Sequence, residues 1–201
     1  MFKKSLAVLM LLGLVFLLPG CRNESFGLDD FEFPNPELPA VLIHVENHGT
    51  IIAELYPEYA PITVDNFINL VEGGFYDGLT FHRIISGFMI QGGCPEGTGM
   101  GGAGSMITGE FADNDIENPL PHTRGVLSMA RGAHDYNSAS SQFFIMHEDS
   151  PFLNGGYASF GRVIHGMEVV DSIADNAIPI DNNGTIDQDE QPVITEIRIV
   201  N

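Results

Sequence analysis

The sequence predicts a mainly all-β fold, a closed antiparallel barrel carrying two helices. Three observations lead there. Six to eight short β-branched or aromatic runs lie between turn residues, and only two stretches carry helical spacing. Strands and helices also fail to alternate as parallel βαβ units require.

Taken in order, Val41–Val45 and Thr50–Leu55 flank Asn47-His48-Gly49, a hairpin signal. Pro61 opens a helix with apolar Ile62, Val64, Phe67, Ile68 and Val71, and Gly73-Gly74 closes it. Further β-like runs follow at 81–85, 88–91, 126–130, 142–146, 159–164 and 193–200. The second helix is expected over Met167–Ala174. Gly92 to Gly109 is too glycine-rich for a regular element, so it is a surface loop ordered by its surroundings. No internal repeat appears.

The first forty residues read differently. Lys3 and Lys4 precede a 13-residue apolar run, Leu6 to Leu18, which suits a signal-peptide core. A membrane span needs about 20 residues. Leu18-Pro19-Gly20-Cys21 then resembles a bacterial lipobox, with Cys21 as the lipidated residue. Pro19 departs from the small or β-branched residue usual there, and the competing reading is an uncleaved short anchor. The expected organisation is a lipoprotein signal peptide over 1–20, the lipidated Cys and an acidic Pro-rich tether over 21–40, and a folded domain over 41–201. The chain is expected in the cell envelope, on the outer side of the cytoplasmic membrane, or periplasmic where the envelope has two membranes.

Lys3 and Lys4 are the only lysines, so beyond residue 20 six Arg face 27 acidic residues, a formal charge of −21. Nucleic-acid phosphate is bound through Lys and Arg, which argues against a nucleic-acid partner. With Cys21 lipidated, Cys94 has no disulfide partner and no basic neighbours, so it reads as structural.

Hydrolytic, metal and nucleotide chemistry lack their residues. The seven His are scattered, there is no Cys pair for zinc, and no G-x-S-x-G elbow occurs. The glycine run lacks the Lys of a phosphate loop. Asp181, Asn183, Gly184, Asp187 and Glu190 match several ligand positions of a calcium loop. Pro179 would fill the first and has no side-chain oxygen, so an acidic surface turn is the reading. No cofactor or metal is expected.

The chemistry-bearing strings are Phe81-His-Arg-Ile-Ile-Ser-Gly-Phe-Met-Ile-Gln-Gly-Gly93, Gly125-Val-Leu-Ser-Met-Ala-Arg131, Asn137-Ser-Ala-Ser-Ser-Gln-Phe-Phe-Ile145, Phe152-Leu153 and Phe160-Gly161. In that order they resemble the cyclophilin family of peptidyl-prolyl cis-trans isomerases. The resemblance implies an eight-stranded barrel capped by two helices, with the site on its outer face. It places Arg83 on the catalytic arginine, Phe88, Met89, Phe144 and Leu153 on the proline pocket, Gln91 and Gln142 on its polar flank, and Ala130 and Arg131 on the edge that binds substrate backbone. As an amide acceptor beside a guanidinium, Gln91 is also expected to orient Arg83 and is counted with it as catalytic. Arg131 stands where many members have Asn. Phe152 stands where cyclosporin-sensitive members have Trp, which implies weak cyclosporin binding. Tyr157 falls near the family's pocket histidine.

Taken singly, Arg83 reads as a surface arginine and Phe88 with Met89 as core. Consecutive strand residues point to opposite faces, and Gly87 supplies the irregular backbone that could bring both to one groove. The expected partners are proline-containing segments of exported proteins, met by a monomer. The competing function is a proline-segment scaffold or holdase; an intact Arg83 favours catalysis, because a pure binder needs no donor at the imide nitrogen.

Overall fold

The computed structural model describes Leu28 and residues 31–201. The expected signal peptide, Cys21 and most of the first ten residues of the expected tether lie outside the described residues. Eight strands form one antiparallel sheet: β1 (Ala40–Val45), β2 (Gly49–Leu55), β3 (Phe81–Ile85), β4 (Met89–Gly92), β5 (Val126–Met129), β6 (Phe143–Met146), β7 (Ser159–His165) and β8 (Ile194–Ile199). Their spatial order is β3-β4-β6-β5-β7-β2-β1-β8. Helix α1 (Pro61–Glu72) begins with proline at its first position and packs beside β8, while α2 (Met167–Asn176) packs against β2.

Side chains of β4 and β6 alternate between two covered faces, while register irregularities interrupt the alternation on β3 and β8. On β6, Phe143 and Ile145 enter the main core, while Phe144 and Met146 join a second apolar cluster on the other face. On β4, Ile90 faces the first and Met89 the second. The main core centres on Phe67 of α1, which meets Tyr76, Phe143 and Phe160 at 5.1–5.4 Å between ring centroids. Each such ring contributes about 1.5–3 kcal/mol on burial. Tyr76 is fully buried, donates its hydroxyl to Ser141 O at 3.0 Å, and has its pKa driven far up by burial. Gly93 beneath it has φ +79°, and a Cβ there would lie 2.5 Å from Ser141 O. Only glycine fits.

The expected closed barrel is corrected to an open, curled sheet. β3 and β8 end the ladder. They meet only where β3 begins, through an isolated bridge Thr80↔Val193 and the bonds Phe81 N–H to Pro192 O and Ile194 N–H to Leu79 O. Farther along, the edge of β3 is occupied by the segment before β8: Ile84 N–H donates to Gly184 O, and Ile186 N–H to His82 O. That segment sits where β8 would have to pair. It also covers an edge that would otherwise expose unpaired backbone.

Candidate active site

Ladder register builds the site. Arg83 on β3 pairs with Gln91 on β4, Gln91 with Phe144 on β6, and Phe144 with Ser128 on β5. Directly opposed residues share a face, so these four side chains form one row across four strands. The neighbouring row is Ile85, Met89 and Met146. Phe88 lies just before β4, and Gly87 at φ +76° supplies the turn that lets Phe88 and Met89 approach the same cavity.

Arg83 is held from two sides. Its Nη1 donates to Gln91 Oε1 at 3.2 Å, and its Nε donates to the backbone carbonyl of Asn183 at 2.7 Å. Gln91 Nε2 donates onward to Gln142 Oε1 at 3.0 Å, and Gln142 Nε2 donates to the carbonyls of Gly99 and Gly101 at 2.9 and 2.8 Å. This relay fixes both amide orientations, because each oxygen must accept and each nitrogen donate. Burial lowers the Arg83 pKa, while Tyr157 and Asp181 push it up. An arginine so placed stays a cation at neutral pH.

Beside the guanidinium opens a cavity of 170 Å³. Phe88, Met89, Phe144 and Leu153 supply its apolar walls; Arg83, Gln91, Ala130, Arg131 and Tyr157 complete the rim. A cavity of about 150 Å³ holds benzene, so this one has room for a single pyrrolidine ring. Phe144 is the floor. It stacks on His122 at 6.0 Å and meets Tyr157 edge-on at 5.8 Å.

A family model for cyclophilin-type peptidyl-prolyl cis-trans isomerases matches residues 40–201. The chain belongs to this family. It is 48% identical over 134 residues to peptidyl-prolyl cis-trans isomerase B of Bacillus subtilis, an alignment covering 67% of this chain and 90% of the relative. It is 47% identical over 133 residues to CYP18-1 of Arabidopsis thaliana, covering 66% and 80%. A Cryptosporidium parvum cyclophilin solved in the presence of the dipeptide Ala-Pro superposes with a TM-score of 0.71 at 34% identity, covering 81% of this chain and 99% of that one. This chain is a peptidyl-prolyl cis-trans isomerase.

In this cyclophilin, two of the residues expected at the site stand apart from the small cavity. Phe152 is 74% exposed: a short turn over Pro151–Leu153 sends Leu153 inward and Phe152 outward, where its ring lies tilted against Phe88 at 5.5 Å between centroids. Gln142 instead lines a second, adjoining cavity of 580 Å³, walled by the Gly99–Gly104 loop, Glu96, Ser138 and Ser140. Gln91, Ala130 and Arg131 are shared between the two cavities. Arg131 lies 4.8–5.2 Å from the ring centres of Tyr157, Tyr136 and Phe111, and donates to Gly156 O and Gly132 O at 2.9 Å each.

Sequence reasoning missed His122, Asn154 and Asn183. His122 is buried under Phe144, paired with Ser128 Oγ at 2.9 Å and Asn154 Oδ1 at 3.1 Å. Burial pulls its pKa down against the Asn154 bond. A lone histidine in a loop carries no signal for such a place. Asn183 acts through a backbone carbonyl, which no side-chain pattern marks. Cys94 is buried. Desolvation raises its thiol pKa, but amides of Gly101, Glu96, Thr98 and Gly99 outweigh it, and the net shift is downward. Among the described residues no cluster of His, Cys, Asp or Glu could hold a metal ion, and no helix is long and apolar enough to cross a membrane.

Proposed function

We propose that this isomerase turns X-Pro bonds in the Arg83 groove as a folding catalyst for exported proteins, held at the membrane by lipid on Cys21. The observation that carries the catalytic part is the two-point clamp on Arg83 beside a ring-sized apolar cavity.

Rotation of a peptide bond faces a barrier of about 18–20 kcal/mol, because the nitrogen lone pair is delocalised into the carbonyl. A twist of about 90° localises that pair on the prolyl nitrogen. A fixed guanidinium N–H aimed there stabilises the twisted state more than either planar one, which lowers the barrier. Phe88, Met89, Phe144 and Leu153 grip the ring so that the preceding carbonyl swings while the ring stays still. No nucleophile or cofactor takes part. The Ala-Pro dipeptide present with the Cryptosporidium relative supports proline peptides as ligands.

The assay is NMR exchange between cis and trans forms of a proline peptide with the full-length chain in detergent. Arg83→Ala should lose a charged hydrogen bond of about 1.5–3 kcal/mol, at least about tenfold in rate, while remaining folded. Wild-type exchange in that variant would leave the chain a proline-segment scaffold whose catalysis does not use Arg83.

The export and anchoring reading rests on the apolar run ending at Gly20-Cys21. Cys21→Ser should leave an unacylated precursor or a released chain, read by mass and membrane fractionation. An acylated, membrane-bound Ser variant of mature length would end it.

A further inference from the structure

Asp181 belongs to the acidic turn ahead of β8, and it enters no ion pair among the described residues. All three of its side-chain hydrogen bonds fold its own turn. Oδ1 accepts from the amides of Asn183 and Thr185 at 2.9 and 3.0 Å, and Oδ2 accepts from Thr185 Oγ1 at 2.8 Å. We propose that Asp181 is a positioning residue for Arg83, folding this turn so that the Asn183 carbonyl fixes the guanidinium at Nε. The inference rests on Arg83 being the catalytic donor.

Geometry makes the second anchor matter. Gln91 Oε1 at 3.2 Å and the weaker acceptor Met89 Sδ at 3.9 Å both meet the same terminal nitrogen, Nη1, so the guanidinium can still swing about that one atom. A bond at Nε, a second nitrogen, removes that swing and leaves only rotation about the line joining the two anchors. That anchor is a carbonyl on an exposed, irregular segment, so it is only as rigid as the segment. The far end is pinned to β3 by Ile84 N–H to Gly184 O and by the bridge Arg83↔Thr185. Gly184, at φ +86°, lies so close that a Cβ would sit 2.7 Å from Ile84 O. Backbone bonds from Ile180 N–H to Thr185 O at 2.8 Å and from Gly184 N–H to Asp181 O at 3.3 Å close the turn's base, while the apex at Asn182 and Asn183 meets β3 through the Arg83 Nε bond itself. The Asp181 carboxylate spans the apex and holds it against the pinned end.

The test is a line-shape titration of the full-length chain in detergent, which reads the exchange rate on the enzyme and peptide affinity separately. Asp181→Ala should slow exchange about three- to tenfold with affinity within about twofold, as expected for a misplaced catalytic group. Asp181→Asn keeps an oxygen that can accept both amide bonds and should restore at least about half the rate. The Arg83 Nε–Hε resonance should exchange with water faster in the alanine variant and return toward wild type in the asparagine one. Wild-type turnover in Asp181→Ala overturns the proposal. Equal loss in both variants also overturns it, since charge and not turn geometry would then be responsible. If Asp181→Ala does not fold, Thr185→Val removes the Oδ2 bond alone and decides the matter by the same two readouts. Arg83→Ala is measured alongside. A fast Arg83→Ala sinks the catalytic reading itself, whereas a slow Arg83→Ala beside a normal Asp181→Ala sinks only the role of Asp181.

Discussion

Phe144 and Gln142 stand two residues apart, yet the walls they serve are held in different ways. Phe144 sits on β6 between β4 and β5, so backbone ladders on both sides fix where its ring lies. Moving it means slipping register, which would turn every neighbouring side chain to the other face. Gln142 lies one residue before the strand and holds the glycine loop through two carbonyls, each such bond contributing about 0.5–1.5 kcal/mol net. The proline cup is therefore a stiff part of the sheet. The larger cavity beside it is a softer part, shaped by side-chain hydrogen bonds and a buried thiol among amides.

The largest effect that tests this contrast is Phe144→Ala. The ring is 5% exposed between Met89, Leu153, His122 and Tyr157, so truncation should cost about 3–5 kcal/mol of stability along with nearly all isomerisation. Denaturant unfolding and the exchange assay read the two losses. A stability cost under about 1 kcal/mol would mean the cup is not part of the structural frame.

The loop side should respond to acid first. His82 is buried against Gly99, and burial, with Arg83 adding to it, lowers its pKa from 6.5 to about 4. The unfolded chain therefore takes a proton in that window which the folded chain refuses. Stability from His82 is full above pH 6.5 and declines, by up to about 3 kcal/mol, as pH falls toward 4. Thermal midpoints should fall across the window in the wild type and less steeply in His82→Gln. Protection of the Gly101 amide, which donates to Cys94 Sγ, against hydrogen exchange should fall before that of the β4–β6 ladder. Parallel slopes for the two proteins would remove His82 from the account.

The smallest effect concerns the rim. Phe152 packs its ring on Phe88 but has no donor, whereas an indole N–H in its place could bond a polar ligand group. Phe152→Trp should tighten cyclosporin binding by about 1–3 kcal/mol, roughly ten- to hundredfold, with short-peptide exchange little changed. Unchanged drug affinity would place residue 152 away from the ligand.

Much of this was legible beforehand, for reasons that differ by region. The strands and both helices lie within a residue or two of where periodicity and turn residues put them, because each buries a face and a buried face imposes a period. Phe88 with Met89 was legible through Gly87, whose freedom at positive φ explains how neighbours share a wall. Barrel closure was not legible. It depends on whether the last strand pairs with the third, and that is decided by a polar segment, 182–193, whose path no periodicity describes. The exposed position of Phe152 was hidden for a similar reason: it shares a three-residue turn with Leu153, and a string match cannot show which of two adjacent residues turns inward. The Asn183 carbonyl was beyond reach altogether, since every residue has one.

Arg131 shows what early immobilisation does to a recognition surface. Its guanidinium is enclosed by three rings and two carbonyls, so the rotamer freedom of a long cationic side chain, about 2 kcal/mol, is surrendered when the chain folds. A peptide passing from the cup to the larger cavity meets a side chain that behaves thermodynamically like backbone. Its affinity along that stretch depends on its own stiffness more than on any ordering of the host, which favours peptides that arrive already extended.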